Sequence, residues 1–209
     1  MKKFDEKTAT SQELWDYCLC EYNSRNLITK KLINNFYSKL GKILNTFACD
    51  EKVLEVGCGA GESSRKIRES IKKNCFEVSD YDERYVKLLK SENLDFEVTV
   101  ESVYSLKRKD KEFDRVIMLE VLEHLENIDL ALEELFRVAK KSVIISVPNE
   151  PLWRILNMFR FKYLLHLGNT PGHINHFSEK SLKRIISKYG KVNKIYKPLP
   201  WIIFECKVI

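Results

Sequence analysis

The hydrophobic pattern changes period once, near residue 50. From Ser11 to Phe47 apolar residues recur at helical spacing. Leu32, Phe36, Leu40 and Leu44 form the stripe, and Ile33, Tyr37 and Ile43 widen it. This predicts one or two helices behind a tail over residues 1–10. Beyond that point short apolar runs alternate with helical segments. Strands are predicted over Lys52–Val56, Phe76–Ser79, Asp95–Val100, Phe113–Leu119 and Ser142–Val147. Helices are predicted over Gly61–Lys73, Glu83–Ser91 and Asn127–Ala139. The fifth strand is rich in β-branched residues, and Pro148 ends it. Strands and helices alternating in this way predict a parallel sheet covered on both faces.

The rhythm breaks after Pro148. Residues 149–177 read as an insertion. Its stretch from Leu152 to Leu167 sets Trp153, Phe159, Phe161 and Tyr163 among Arg154, Arg160 and Lys162. Ser178 is expected to cap a further helix and Gly190 to close it. Two strand-like runs follow, Val192–Lys197 and Trp201–Lys207, joined by a link holding Pro198 and Pro200. So short a link suits a hairpin, which makes the last strand antiparallel to its neighbour. The expected fold is α/β: a seven-stranded, mostly parallel, doubly wound sheet with an antiparallel last strand. Residues 1–47 form a tail and helical cap, and residues 48–209 the α/β domain with a lid-like insertion at 149–177.

Composition narrows the class. A chain of 209 residues suits one ordinary domain. With 44% apolar and 32% charged residues it has the balance of a folded globular protein. No apolar run approaches the roughly 18–20 residues that span a bilayer. Lys2 and Lys3 lack an apolar segment behind them, so no secretory signal is expected and a cytoplasmic location is. The cysteines Cys18, Cys20, Cys49, Cys58, Cys75 and Cys206 form no CxxC pair, which suits free thiols in a reducing compartment. The net charge of +6 is mild, and no DNA partner is expected.

The chemistry concentrates in VLEVGCGAG, residues 53–61: a strand, an acid, then glycines opening a helix. Without Cβ atoms, Gly57, Gly59 and Gly61 let the backbone turn tightly and a ligand approach it. Such a loop lies at the carboxyl end of the first strand, where open α/β sheets bind ligands. A dinucleotide fingerprint needs a third glycine where this chain has Glu62. A carboxylate would repel a pyrophosphate, whereas Glu55 and Glu62 are acceptable beside a sulfonium cation.

On these residues the chain resembles the class I, Rossmann-like, S-adenosylmethionine-dependent methyltransferases, particularly the type 11 and type 12 small-molecule group, from about Lys52 onward. The resemblance implies that the loop, with Gly57, Cys58, Gly59 and Gly61, holds the methionine portion and that Glu55 orients it. In FEVSDYDERYV it implies that Asp80, with Tyr81 beside it, accepts the ribose hydroxyls, with Asp82 as the alternative. In VESVYSL, Ser102 stands where relatives carry an acid near the adenine. Val103 meets the ring through its backbone, and Glu101 is the substitute acid. FDRVIMLEVLEHLEN matches the fourth-strand motif, whose backbone near Leu119 faces the sulfonium. GHINHFSEKSLKRII resembles the segment before the last helix.

The acceptor is written less plainly. His124 follows the fourth strand. A histidine of ordinary pKa, about 6.5, can take a proton from a hydroxyl at neutral pH, so His124 is the candidate general base, a packing role being the alternative. His173, His176 and Trp153 are candidate acceptor contacts, and His176 a second base. No carboxylate or thiol stands near His173 and His176 at a recognisable ligand spacing, so no metal site is expected. The 152–167 stretch is expected to be a lid or packing helix rather than a membrane contact. The expected activity is methyl transfer from S-adenosylmethionine, leaving S-adenosylhomocysteine. The acceptor would be a small molecule, hydrophobic if the stretch is a lid, and the enzyme a monomer or homodimer. The alternatives are a tRNA or protein methyltransferase and a non-catalytic cofactor-binding module. The LEVLEH segment lacks the [DN]PPY-type motif of amino-group nucleic-acid methylases.

Overall fold

The computed structural model describes Thr10 and residues 27–159, 169–170 and 172–209. The helix expected over 11–26 and the aromatic–basic stretch at 160–168 lie outside the described residues. Seven strands form one sheet: β1 (Lys52–Val56), β2 (Cys75–Asp80), β3 (Glu97–Val100), β4 (Phe113–Leu119), β5 (Ala139–Pro148), β6 (Gly190–Tyr196) and β7 (Trp201–Val208). Their order is β3-β2-β1-β4-β5-β7-β6. The five strands from β3 to β5 are parallel, and β7 runs antiparallel to both β5 and β6. This is the expected α/β sheet. The order reverses between β1 and β4, which opens a crevice at their carboxyl ends.

Alternation along each strand feeds two cores. Val53, Val78, Ile117, Ile144 and Ile203 point to one face. There they meet the helices α1 (Leu27–Leu44), α2 (Glu62–Ser70) and α3 (Glu83–Ser91) through Leu40, Ile67 and Leu89. Leu54, Val116, Met118, Val143 and Phe204 point to the other face. They meet α4 (Ile128–Val138) and, after the short helix α5 (Leu152–Phe159), α6 (Glu179–Ile186), through Leu132, Leu135, Leu182 and Ile186. Both faces are covered, which suits apolar stretches such as Val116–Leu119 in β4 and Val143–Ile145 in β5. Each fully buried Leu or Ile contributes about 1.5–3 kcal/mol relative to exposure.

Local chemistry sets the helix starts. Asn127 accepts from the Leu130 amide to begin α4. Ser178 begins α6 through a reciprocal pair with Ser181. The insertion closes on itself at its base, where the Glu150 amide donates to the Phe177 carbonyl at 2.9 Å. Ahead of β1, Glu51 is buried and accepts from Arg115 and Lys141. Burial pushes its carboxyl up, but those two cations outweigh burial and hold it below the usual range.

One expectation needs correction. Gly190 does not close α6; Ser187 is the C-terminal cap and Gly190 opens β6. Its need for glycine is steric. A Cβ there would lie 2.2 Å from the Phe136 ring and 2.6 Å from the Lys207 carbonyl. The carbonyl belongs to the paired strand and cannot rotate away. Gly190→Ala is therefore expected to destabilise the protein by about 1–3 kcal/mol through overpacking. Urea unfolding of both proteins measures it, and equal midpoints would refute it.

Candidate active site

Glycine conformation creates the cradle. Gly57 has φ +80° and lies so close to the turn after β4 that a Cβ would stand 2.5 Å from Val121 Cγ2. Gly59 has φ +49° and opens onto empty space, with no atom within 4 Å of a built Cβ. The first glycine lets two loops touch, and the second leaves backbone uncovered for a ligand.

Asp80 ends β2 beneath this loop. Its Oδ2 accepts from the Gly59 amide at 2.8 Å and its Oδ1 from the Asp82 amide at 2.9 Å. Burial raises its pKa, and those amides oppose the rise. Asp82 is committed elsewhere. It caps α3 through the Arg84 amide and pairs with the Arg84 guanidinium at 2.6 Å. That pairing, more than its partial burial, holds the Asp82 carboxyl below its ordinary value. Asp80, not Asp82, faces the glycine loop.

Glu55 is also placed by its neighbours. Its two carboxylate oxygens accept from the Ser63 and Ser64 hydroxyls, each at 2.5 Å. It pins the start of α2 to β1 instead of projecting into the loop opening. Complete burial pushes its pKa up to about 7, against the pull of the two serines. Cys58 is buried beside it, with a thiol pKa raised by burial and by Glu55. Tyr81 projects into solvent, 76% exposed.

Beyond β3, Ser102 is exposed and bridges to Ser105, while Val103 is buried in the core. Glu101 is tied into the fold there. Its carboxylate accepts from Thr99, from the Lys107 amide and from Arg108, the last at 2.8 Å. Leu119 is buried at the end of β4.

The turn after β4 carries the other expected group. Glu120 takes φ +57° and accepts from Ser146 at 2.7 Å. Burial pushes its pKa up to about 8. Leu122–His124 then form a single 3₁₀ turn. The insertion grips this turn: the Ile174 and Asn175 amides both donate to the Glu123 carbonyl at 3.0 Å, and the Asn175 side chain donates to the Leu125 carbonyl at 2.6 Å. His124 Nδ1 lies 3.0 Å from the Gly172 carbonyl. A carbonyl only accepts, so Nδ1 carries a proton, and in the neutral ring the lone pair is on Nε2. The His173 ring meets His124 edge-on at 4.8 Å and stacks on Trp153 at 6.3 Å. Burial, then the neighbouring His124 and His176, lower the His173 pKa to about 4, so its imidazole is neutral at pH 7. Trp153 Nε1 donates to Thr170. His176 is exposed and paired with Asn169.

A family model described as a methyltransferase domain matches residues 27–193. The chain belongs to this family. Its members of this topology are the class I S-adenosylmethionine-dependent enzymes, and S-adenosylmethionine is the cofactor. No curated protein matches the methyltransferase chain. Solved structures share its fold at low identity. An S-adenosylmethionine-dependent methyltransferase from Aquifex aeolicus is 19% identical with a TM-score of 0.67, covering 99% of this chain and 100% of its own. The magnesium protoporphyrin IX methyltransferase of Synechocystis, with bound S-adenosylhomocysteine, is 17% identical with a TM-score of 0.66 over 93% of each chain. The protein complexed with the Haloferax volcanii Trm112 methyltransferase activator is 13% identical with a TM-score of 0.71 over 99% of each.

The cradle fits the cofactor: an open glycine backbone, a buried acid beneath it and no third glycine for a pyrophosphate. The sequence reading missed Glu123. It lies beside His124 and reaches His173 only through the fold. The raised pKa of Glu55 carries a pH consequence. A carboxyl near 4.5 in the unfolded chain and near 7 when folded binds more protons folded. Its contribution to stability falls as pH rises from about 4.5 to 7. Glu55→Gln is expected to flatten the loss of stability over this range in urea titrations. An unchanged slope would refute the assignment.

Proposed function

We propose that this enzyme transfers the methyl group of S-adenosylmethionine to a small-molecule acceptor. The observation that carries the reading is the pairing of the open Gly59 backbone with Asp80 on one side of the Gly57–Val121 contact, and of His124, His173 and Trp153 with the turn on its other side. One half offers a donor site and the other an aromatic, imidazole-lined acceptor site.

The bound cofactor supplies a methyl group already activated by a sulfonium. The chain supplies position. Gly57, Gly59 and Gly61 present backbone to the methionine portion. Asp80 has unused lone pairs on both oxygens and accepts from the ribose hydroxyls. Glu55, tied to Ser63 and Ser64, acts on the cofactor by fixing the loop and helix. Val103 borders the adenine and Leu119 the sulfonium. His124 accepts the acceptor's proton at Nε2, because Gly172 holds its other nitrogen in the donor state. Trp153 and His173 wall the acceptor site, Trp153 being carried there by α5. Holding two reactants in line is worth up to about 7–11 kcal/mol of barrier.

Two outcomes test this. Asp80→Asn is expected to weaken S-adenosylhomocysteine about 10–100-fold in calorimetry, the cost of charge-assisted bonds worth about 1.5–3 kcal/mol. Unchanged affinity would remove Asp80 from the donor site. An isotopically labelled methyl donor is expected to label a small-molecule fraction of a cell extract. His124→Ala would slow that labelling about 10²–10⁴-fold while keeping donor affinity. Label appearing in RNA or protein instead would overturn the small-molecule acceptor.

A further inference from the structure

The geometry points to a divalent transition-metal site formed by Glu123, His124 and His173. Their donor atoms, one carboxylate oxygen and two ring nitrogens, all lie within 4.8 Å of one another. Ligands about 2.0–2.2 Å from one cation stand about 3.3–4.4 Å from each other, so donor atoms within 4.8 Å of one another need only a small adjustment to share one ion.

Three further observations favour a cation. Glu123 is 1% exposed, and neither carboxylate oxygen has a hydrogen-bond partner among the described residues. A buried carboxyl without a partner becomes a carboxylate only beside an opposite charge or a metal. Its neighbour Glu120 is unlike it, being satisfied by Ser146. Second, the Nδ1–H of His124 is held by the Gly172 carbonyl, the outer bond that metal-ligating histidines make, and Nε2 keeps the ligand lone pair. Third, the Ile174 and Asn175 amides clamp the Glu123 backbone, so a segment some fifty residues later carries His173 to the same point.

Two imidazoles and one carboxylate suit Zn²⁺, Fe²⁺, Co²⁺ or Mn²⁺ better than Ca²⁺ or Mg²⁺, which take mainly oxygen. Three protein ligands leave coordination positions open for water or an oxygen of the acceptor. The Nε2 lone pair cannot hold a cation and a proton together, so the metal-bound state replaces the His124 base of the proposed function: an acceptor hydroxyl on the cation would be acidified and its proton would pass to solvent water.

The test uses the full-length, untagged protein, stripped with a chelator and titrated with Co²⁺. Visible ligand-field bands are expected to saturate at one equivalent. Glu123→Gln and His173→Asn are each expected to weaken that titration by more than about 100-fold, beyond the 10–100-fold cost of losing an outer-shell partner. S-adenosylhomocysteine calorimetry checks that each variant is folded. If Glu123→Gln fails that check, His173→Asn decides. Absence of the bands in the parent protein, or bands unchanged in a folded variant, would overturn the site and leave Glu123 a neutral buried acid. Co²⁺ binding does not depend on the donor, so a failure of the methyl-donor reading appears separately, as a parent protein that binds Co²⁺ but not S-adenosylhomocysteine.

Discussion

Everything at the carboxyl edge of the sheet depends on the contact between Gly57 and Val121. The turn after β1 and the turn after β4 touch with no room for a single methyl group between them. That closeness is possible only because the strand order reverses between β1 and β4 and because Gly57 occupies a left-handed conformation. It brings the donor loop and the histidine-bearing turn within one side chain of each other. Asp80 then fixes the loop from below through the Gly59 amide, and Asn175 fixes the turn from above. The two halves of the site are held by different parts of the chain but share one seam.

Much of this was legible in the sequence, for a physical reason. Strand and helix periods are local, so β1, α3 and β4 emerged with the bounds the structure gives. The glycine loop was legible because glycine is strongly favoured at its three positive φ angles. What local pattern could not carry was competition between neighbours. Asp80 and Asp82 look equivalent two residues apart, and only the cap on α3 shows that Asp82 is spent. Gly190 reads as a helix stop, yet its need for glycine comes from Phe136 and Lys207, distant in sequence. Glu123 was hidden more deeply. Beside leucines it reads as one more charge in LEVLEH. His173, which comes near it, arrives from the insertion, and no spacing rule spans that gap.

The site is expensive to fold. Glu55, Asp80, Glu120 and Glu123 are all buried or nearly so, and burial pushes each pKa upward. Acids gathered in this way oppose the compact state, and the two apolar cores offset them. The contrast with Glu51 is instructive. It too is buried, but Arg115 and Lys141 hold it charged, and it serves only to brace the start of β1. Buried acids with cationic partners mark the scaffold here; buried acids without them mark the crevice.

The bond between the Glu150 amide and the Phe177 carbonyl has a consequence for descent. It ties off the insertion at its neck, and among the described residues the chain between those two adds no strand to the sheet. Doubling the length of such a loop costs only about 0.6 kcal/mol in closure entropy. The segment can therefore change in length while β5, β7 and the glycine loop stay as they are. On the proposed reading, a change of acceptor asks for edits to this one segment, and the methyl-donor site is kept with the frame.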